Sequence, residues 1–159
     1  MAFTREGDSE AAAADLPDRP LSPHPNHVTA RGLAAIDAAL NRARADYNAA
    51  QAAGGIGADR TAMARATREL RYWTARRASA RLVPSGADDG IVRFGSQVTF
   101  TGEDGAEARL RIVGEDEADP VAGLVAWVSP AARALMGKSA GDVARWGGRD
   151  VEVTIVTAA

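Results

Sequence analysis

The sequence predicts an α+β protein: an N-terminal antiparallel helical hairpin of coiled-coil type, then a small antiparallel sheet domain with one helix. Three observations carry this reading. Two apolar seams at heptad spacing flank a Gly-rich break at Gly54, Gly55 and Gly57. Beyond residue 90 the apolar period changes from about 3.5 to two. The stretch from Arg111 to Lys138 reads as strand, acidic turn, strand and capped helix.

Residues 1–28 are rich in Ala, Asp, Glu and Pro, with Pro17, Pro20, Pro23 and Pro25 closely spaced. Such a segment buries too little apolar surface to offset its ordering entropy, so a disordered arm is expected. His24 and His27 lie in it without the further ligands a metal site needs. Val28 and Thr29 have the character of a hydrophobic staple and an N-cap. The first helix should start there, with Leu33, Ile36, Leu40, Ala43, Tyr47 and Ala50 as its seam. The second should begin near Asp59 or Thr61, with Met63, Ala66, Leu70, Trp73, Arg77 and Ala80 as its seam. Roughly 22 residues per helix give a rod of about 33 Å. The hairpin is assigned residues 29–83, and the polar stretch 84–90 reads as a linker.

The sheet domain is assigned residues 91–159. Ile91–Gly95 and Gln97–Gly102 read as consecutive short strands, and Glu103-Asp104-Gly105 as a hairpin turn. Ala106–Val113 returns with Ala108, Leu110 and Ile112 on one face. Gly114–Asp119 is too charged to bury, and Leu124–Val128 is apolar enough for a buried strand. Ser129 caps a helix whose first residue is Pro130, a position where the missing N–H costs nothing. Gly137 suits the left-handed residue that ends it. Trp127 is expected in the core and Trp146 near an edge. A last strand alternates Val151, Val153 and Ile155 inward.

Charge is nearly balanced overall, at −2, but uneven: residues 60–81 hold seven Arg against one acid, Glu69, while Glu115, Asp116, Glu117 and Asp119 form an acidic run. The arginines suit a solvated face or an acidic or nucleic-acid partner. The acidic run reads as a solvated turn, since a hard-cation site needs six or more converging oxygens. The absence of Cys excludes disulfides, Cys-zinc sites and thiol catalysis. With both histidines in the arm, no Ser-His-Asp set is credible, so no catalytic residue is assigned. No apolar run reaches the roughly 20 residues of a membrane span, and a cytoplasmic protein is expected.

The order RIVGEDEADP…G…WVSPAARALMGKSAGD resembles the C-terminal domain of the bacterial GreA/GreB transcript-cleavage factors, over Phe94–Asp142. The resemblance implies an N-terminal coiled coil and an FKBP-like C-terminal domain. It implies bacterial RNA polymerase as partner, gripped at the rim of its secondary channel, with nucleic acid nearby, no membrane and a monomeric factor. The docking surface would involve Asp116, Glu117, Ser129, Pro130 and Arg133. In the family two tip acids, in a motif resembling Gly-Asp-Leu-Ser-Glu-Asn, help hold a catalytic magnesium ion. Here the turn carries one tip acid, Asp59, followed by Arg60, and Asp46 lies too far back along the first helix to join it. Weak or absent transcript cleavage is therefore expected, with no metal or cofactor of the protein's own. Alternatives are a non-cleaving polymerase-binding regulator of the nucleoside diphosphate kinase regulator type, a proline isomerase suggested by fold alone, and a general interaction module acting through the arginine helix.

Overall fold

The computed structural model describes residues 16–54 and 59–158. Two helices come first, α1 (Ala30–Ala52) and α2 (Arg60–Ser79). They are bracketed by two short strands, β1 (His27–Val28) and β2 (Arg81–Leu82), paired in parallel. A five-stranded sheet follows, built from β3 (Gln97–Gly102), β4 (Glu107–Val113), β5 (Leu124–Ala126), β6 (Val143–Trp146) and β7 (Arg149–Thr157). Its order is β5-β4-β3-β7-β6. The helix α3 (Pro130–Leu135) completes the fold. The chain divides into two compact units: residues 35–79 with the segment ending at residue 23, and residues 24–34 with 80 onward.

The helical hairpin forms where the seams place it. Ile36, Leu40 and Ala43 of α1 and Ala66 of α2 are buried, and Met63, Leu70 and Trp73 are half-buried. Arg77, which falls on the second seam, stays exposed and donates across the hairpin to Asp37. The arginine that is buried is its neighbour Arg76, at 3% exposure. Thr29 caps α1 by accepting from the Gly32 N–H at 2.9 Å, and Val28 before it is buried.

The N-terminal arm is a partial correction. Residues 16–28, expected to be disordered, are held in place. The Arg19 guanidinium lies 3.6 Å from the Tyr72 ring centroid and 2.7 Å from the Glu69 carboxylate. Cation–π attraction and a charged hydrogen bond thus act on one side chain, which the arm's composition does not reveal. Further along, Arg81 N–H donates to Asn26 O and Val83 N–H to Val28 O, at 2.8 and 3.0 Å. The expectation for residues 1–15 lies outside the described residues.

In the sheet, the β3–β4 hairpin turns at Gly105, at φ 77°, where the Asp104 carboxylate accepts from Ala106 N–H. The core gathers Val92, Val98, Phe100, Leu110, Ile112, Ala132, Leu135, Ala144, Val151 and Val153, with Trp127, Trp146 and Val156 packed against it. Three expectations change here. The sheet is mixed, because β5 runs parallel to β4 while the other pairs are antiparallel. Ile91–Gly95 is no strand: Ile91 makes a single bridge to Ser139, and the backbone turns at Gly95, φ 87°. The fifth strand is instead β6, which ends at the half-buried Trp146 beside Phe100.

The third change is in β7. Thr99 pairs with Ile155 but Phe100 pairs with Val153, so Thr154 is an extra residue in the ladder. Its hydroxyl donates to Thr99 O at 3.1 Å. Such a bulge shifts the inward face by one residue. Ile155 is therefore 52% exposed, and Val156 packs on the core in its place.

In the segment read as a linker, Arg93 forks onto Asp89 with contacts of 2.5 and 2.7 Å. That hydrogen-bonded guanidinium lowers the Asp89 carboxyl from 3.8 to about 2. A depressed folded value means the contribution is fully present above the unfolded value and is lost as pH falls through about 2. Because the pair is exposed, the effect on stability is small. Arg93→Ala is expected to return Asp89 to the ordinary carboxylate range in a carbon-detected NMR titration. An unchanged titration would show that the fork does not form.

Candidate functional site

The parallel pairing of β4 with β5 decides where the candidate residues meet. Parallel neighbours end at the same side of a sheet. The segments that follow them, Gly114–Glu117 and Trp127–Pro130, therefore leave the sheet together. The first winds into a 3₁₀ turn, Glu115–Glu117, and the second enters α3. Asp116, Glu117, Ser129, Pro130 and Arg133 thus belong to one end of the C-terminal unit. Ser129 Oγ accepts from Ala132 N–H at 3.2 Å, so its hydroxyl serves as the cap of α3. Pro130 and Arg133 are exposed, and Asp116 is half-buried.

Glu117 behaves differently from its neighbours. Its side chain is only 5% exposed. It accepts the Thr29 hydroxyl at 2.5 Å, while Arg31 Nε lies 4.0 Å from its other oxygen. Because Thr29 also caps α1, the carboxylate sits where the helix dipole favours negative charge. Glu117 therefore holds the start of α1, while Glu115 and Asp116 of the same turn are half-buried.

Against the same end lie β1 and the segment before it. The His27 ring stacks on Trp127, with centroids 4.9 Å apart and planes at 23°, and meets Phe94 edge-on at 5.9 Å. His24 approaches Trp127 at 6.2 Å. The two histidines, expected in a disordered arm, both lie against an indole. Sequence reasoning missed Thr29, Arg31 and His27 as part of this end. Only the N-cap character of Thr29 was visible, because its partner Glu117 is 88 positions away.

Asp59 belongs to the helical unit. Its Oδ1 accepts from the N–H groups of Thr61 and Ala62, at 2.9 and 3.1 Å, which makes it the N-cap of α2. Residues 55–58 of the turn lie outside the described residues. Among the described residues, no group of three His, Asp or Glu could hold a metal ion, and no helix is long and apolar enough to cross a membrane.

Comparison with known proteins follows this geometry. Residues 87–159 match the family described as "Transcription elongation factor, GreA/GreB, C-term". The chain is similar to transcription elongation factor GreA of Phenylobacterium zucineum, with 55% identity over 53 residues, covering 33% of this chain and 34% of that protein. It is similar to GreA of Alkalilimnicola ehrlichii, with 49% identity over 72 residues, covering 42% and 46%. The chain spans less than half the length of these curated relatives. A solved structure, prokaryotic transcription elongation factor GreA/GreB from Nitrosomonas europaea, aligns over 82% of this chain and 98% of its own at 21% identity, with a TM-score of 0.41. On the strength of the sequence matches, residues 87–159 form a domain of the GreA/GreB C-terminal family.

Proposed function

We propose that this protein binds RNA polymerase at the rim of its secondary channel and modulates transcription, with little or no stimulation of transcript cleavage. The observation that carries the reading is the family match over residues 87–159, the part that holds Asp116, Ser129, Pro130 and Arg133 on one end. The helical hairpin that precedes it supports a factor that reaches into the channel. The protein acts in the cytoplasm as a monomeric binding factor, not as an enzyme. The cap role of Asp59 supports the second half: its carboxylate is already engaged by two backbone N–H groups, and the described part of the turn offers no second acid. A magnesium ion needs converging carboxylates before it can activate water. Among the alternatives, a non-cleaving polymerase-binding regulator fits this combination.

The test is competition on purified bacterial polymerase. The protein is expected to displace labelled GreA, and Arg133→Glu to weaken displacement by about tenfold. No binding at micromolar concentration would overturn the reading. In stalled elongation complexes the RNA is expected to stay uncut. Strong magnesium-dependent cleavage, lost in Asp59→Ala, would overturn the second half alone.

A further inference from the structure

The C-terminal unit carries a cavity of about 370 Å³ that none of the roles above uses. Its walls include Leu82, Val83, Pro84 and Gly95, with Arg31 and Arg111 as its charged residues. Three observations point to an occupant. First, Arg111 Nε is buried and has no hydrogen-bond acceptor among the described residues. A buried donor of this kind calls for an explanation, and an absent acceptor supplies one. Second, no acid lines the cavity. The nearby carboxylate of Glu117 accepts from Thr29 through one oxygen and lies 4.0 Å from Arg31 Nε through the other, yet the Arg31 side chain remains 71% exposed. Third, the cavity lies along an open strand edge. Arg81 and Val83 donate their N–H groups to β1. Alternation along a strand then turns the Leu82 N–H and C=O away from β1, and the Leu82 side chain is 53% exposed.

An open edge, apolar walls and two lining arginines suit the addition of a strand that carries carboxylates. The backbone of the added strand would bond Leu82, and the side chains would supply register and charge. We propose that this cavity docks an extended acidic segment of a partner protein alongside β2, with one Asp or Glu side chain reaching Arg111 and Arg31. The charge complementarity fixes the sign of the partner, and the strand edge favours a peptide over a small anion. The proposal does not rest on polymerase binding.

The test uses the full chain, ¹⁵N-labelled, and three probes: a capped octapeptide alternating Glu and Val, the same peptide with Lys for Glu, and inorganic phosphate. The Glu peptide is expected to shift the Leu82 amide and the Arg111 Nε–H resonances and to slow exchange of the Leu82 amide. Arg111→Gln is expected to weaken binding about tenfold, as loss of a charged hydrogen bond does. Leu82→Pro removes the outward N–H while leaving the Arg81 and Val83 bonds, so it is expected to abolish binding. Unchanged amide signals of Val151 and Val153 establish that both variants are folded; if Leu82→Pro is not, Arg111→Gln decides. Equal binding of the Lys peptide, or no shift at Leu82, would overturn the proposal. Shifts at Arg111 with phosphate alone, and none at Leu82 with the peptide, would overturn it in favour of a small-anion site.

Discussion

Leu135→Ala is expected to cost the C-terminal unit about 2–5 kcal/mol, the range for deleting a fully buried leucine side chain. Leu135 is 0% exposed, and with Ala132 it is the residue that α3 buries. α3 has only six residues, too few to persist without tertiary packing. It cannot slide to fill the void, because Ser129 fixes its start and Gly137 N–H is bonded to Val92 O at its end. The core around it comes from opposite regions of the sheet, Ile112 of β4 and Ala144 of β6 among them, so collapse of one wall would disturb both. Thermal unfolding can be followed by the fluorescence of Trp127 and Trp146 in a Trp73→Phe background. The Tm of this unit should fall by at least about 8 °C, given a sensitivity of about 4 °C or more per kcal/mol in small domains. A fall of under about 2 °C would mean that α3 is not anchored through Leu135.

The second large effect is expected at Gly114→Ala. The backbone there is extended, at φ −68° and ψ 164°, so alanine meets no conformational strain. The obstacle is space: an added Cβ would lie 2.5 Å from His27 O and 3.6 Å from Val28 Cα. Both are backbone atoms of β1, so no rotamer change relieves the clash. Either β1 lifts away or the turn after β4 moves. Overpacking of this kind costs about 1–3 kcal/mol. The diagnostic sign is local: the His27–Trp127 stack should open, and the ring-current shifts of the imidazole protons should disappear. A variant with unchanged Tm and an intact stack would show that β1 can retreat cheaply.

Much of the fold was legible in the sequence because it is written in local patterns. The heptad seams placed Ile36, Leu40, Ala43 and Ala66 inside, and the Ser129-Pro130 pair marked the start of α3. Gly137 at φ 79° ends that helix as its position implied. What the sequence hid depends on partners far away along the chain. The Thr154 bulge exists because β7 must follow β3 through a change of register, so Ile155 and Val156 exchange faces without any cue in their own window. Residues 16–23 have a disordered composition, yet Arg19 against Tyr72 and Glu69, and Asp18 against Arg71, hold them. The candidate site shows the same division. Ser129, Pro130 and Arg133 could be placed by the capping pattern, and Asp116 by its turn. The inward use of Glu117 could not, since Thr29 is remote in sequence and a carboxylate in an acidic run gives no sign that it is the buried one.

The pairing of β1 with β2 has a practical corollary for how the molecule can be cut. A fragment beginning at residue 84, where composition suggests a boundary, would discard both of these strands together with His27, Thr29 and Arg31. Glu117 would then lose the hydroxyl it is bonded to, and Trp127 the imidazole that lies on it. The compact unit is discontinuous: residues 24–34 with residues 80 onward. The helical excursion between them could be replaced by a short loop, because its two ends are already laced together by backbone bonds.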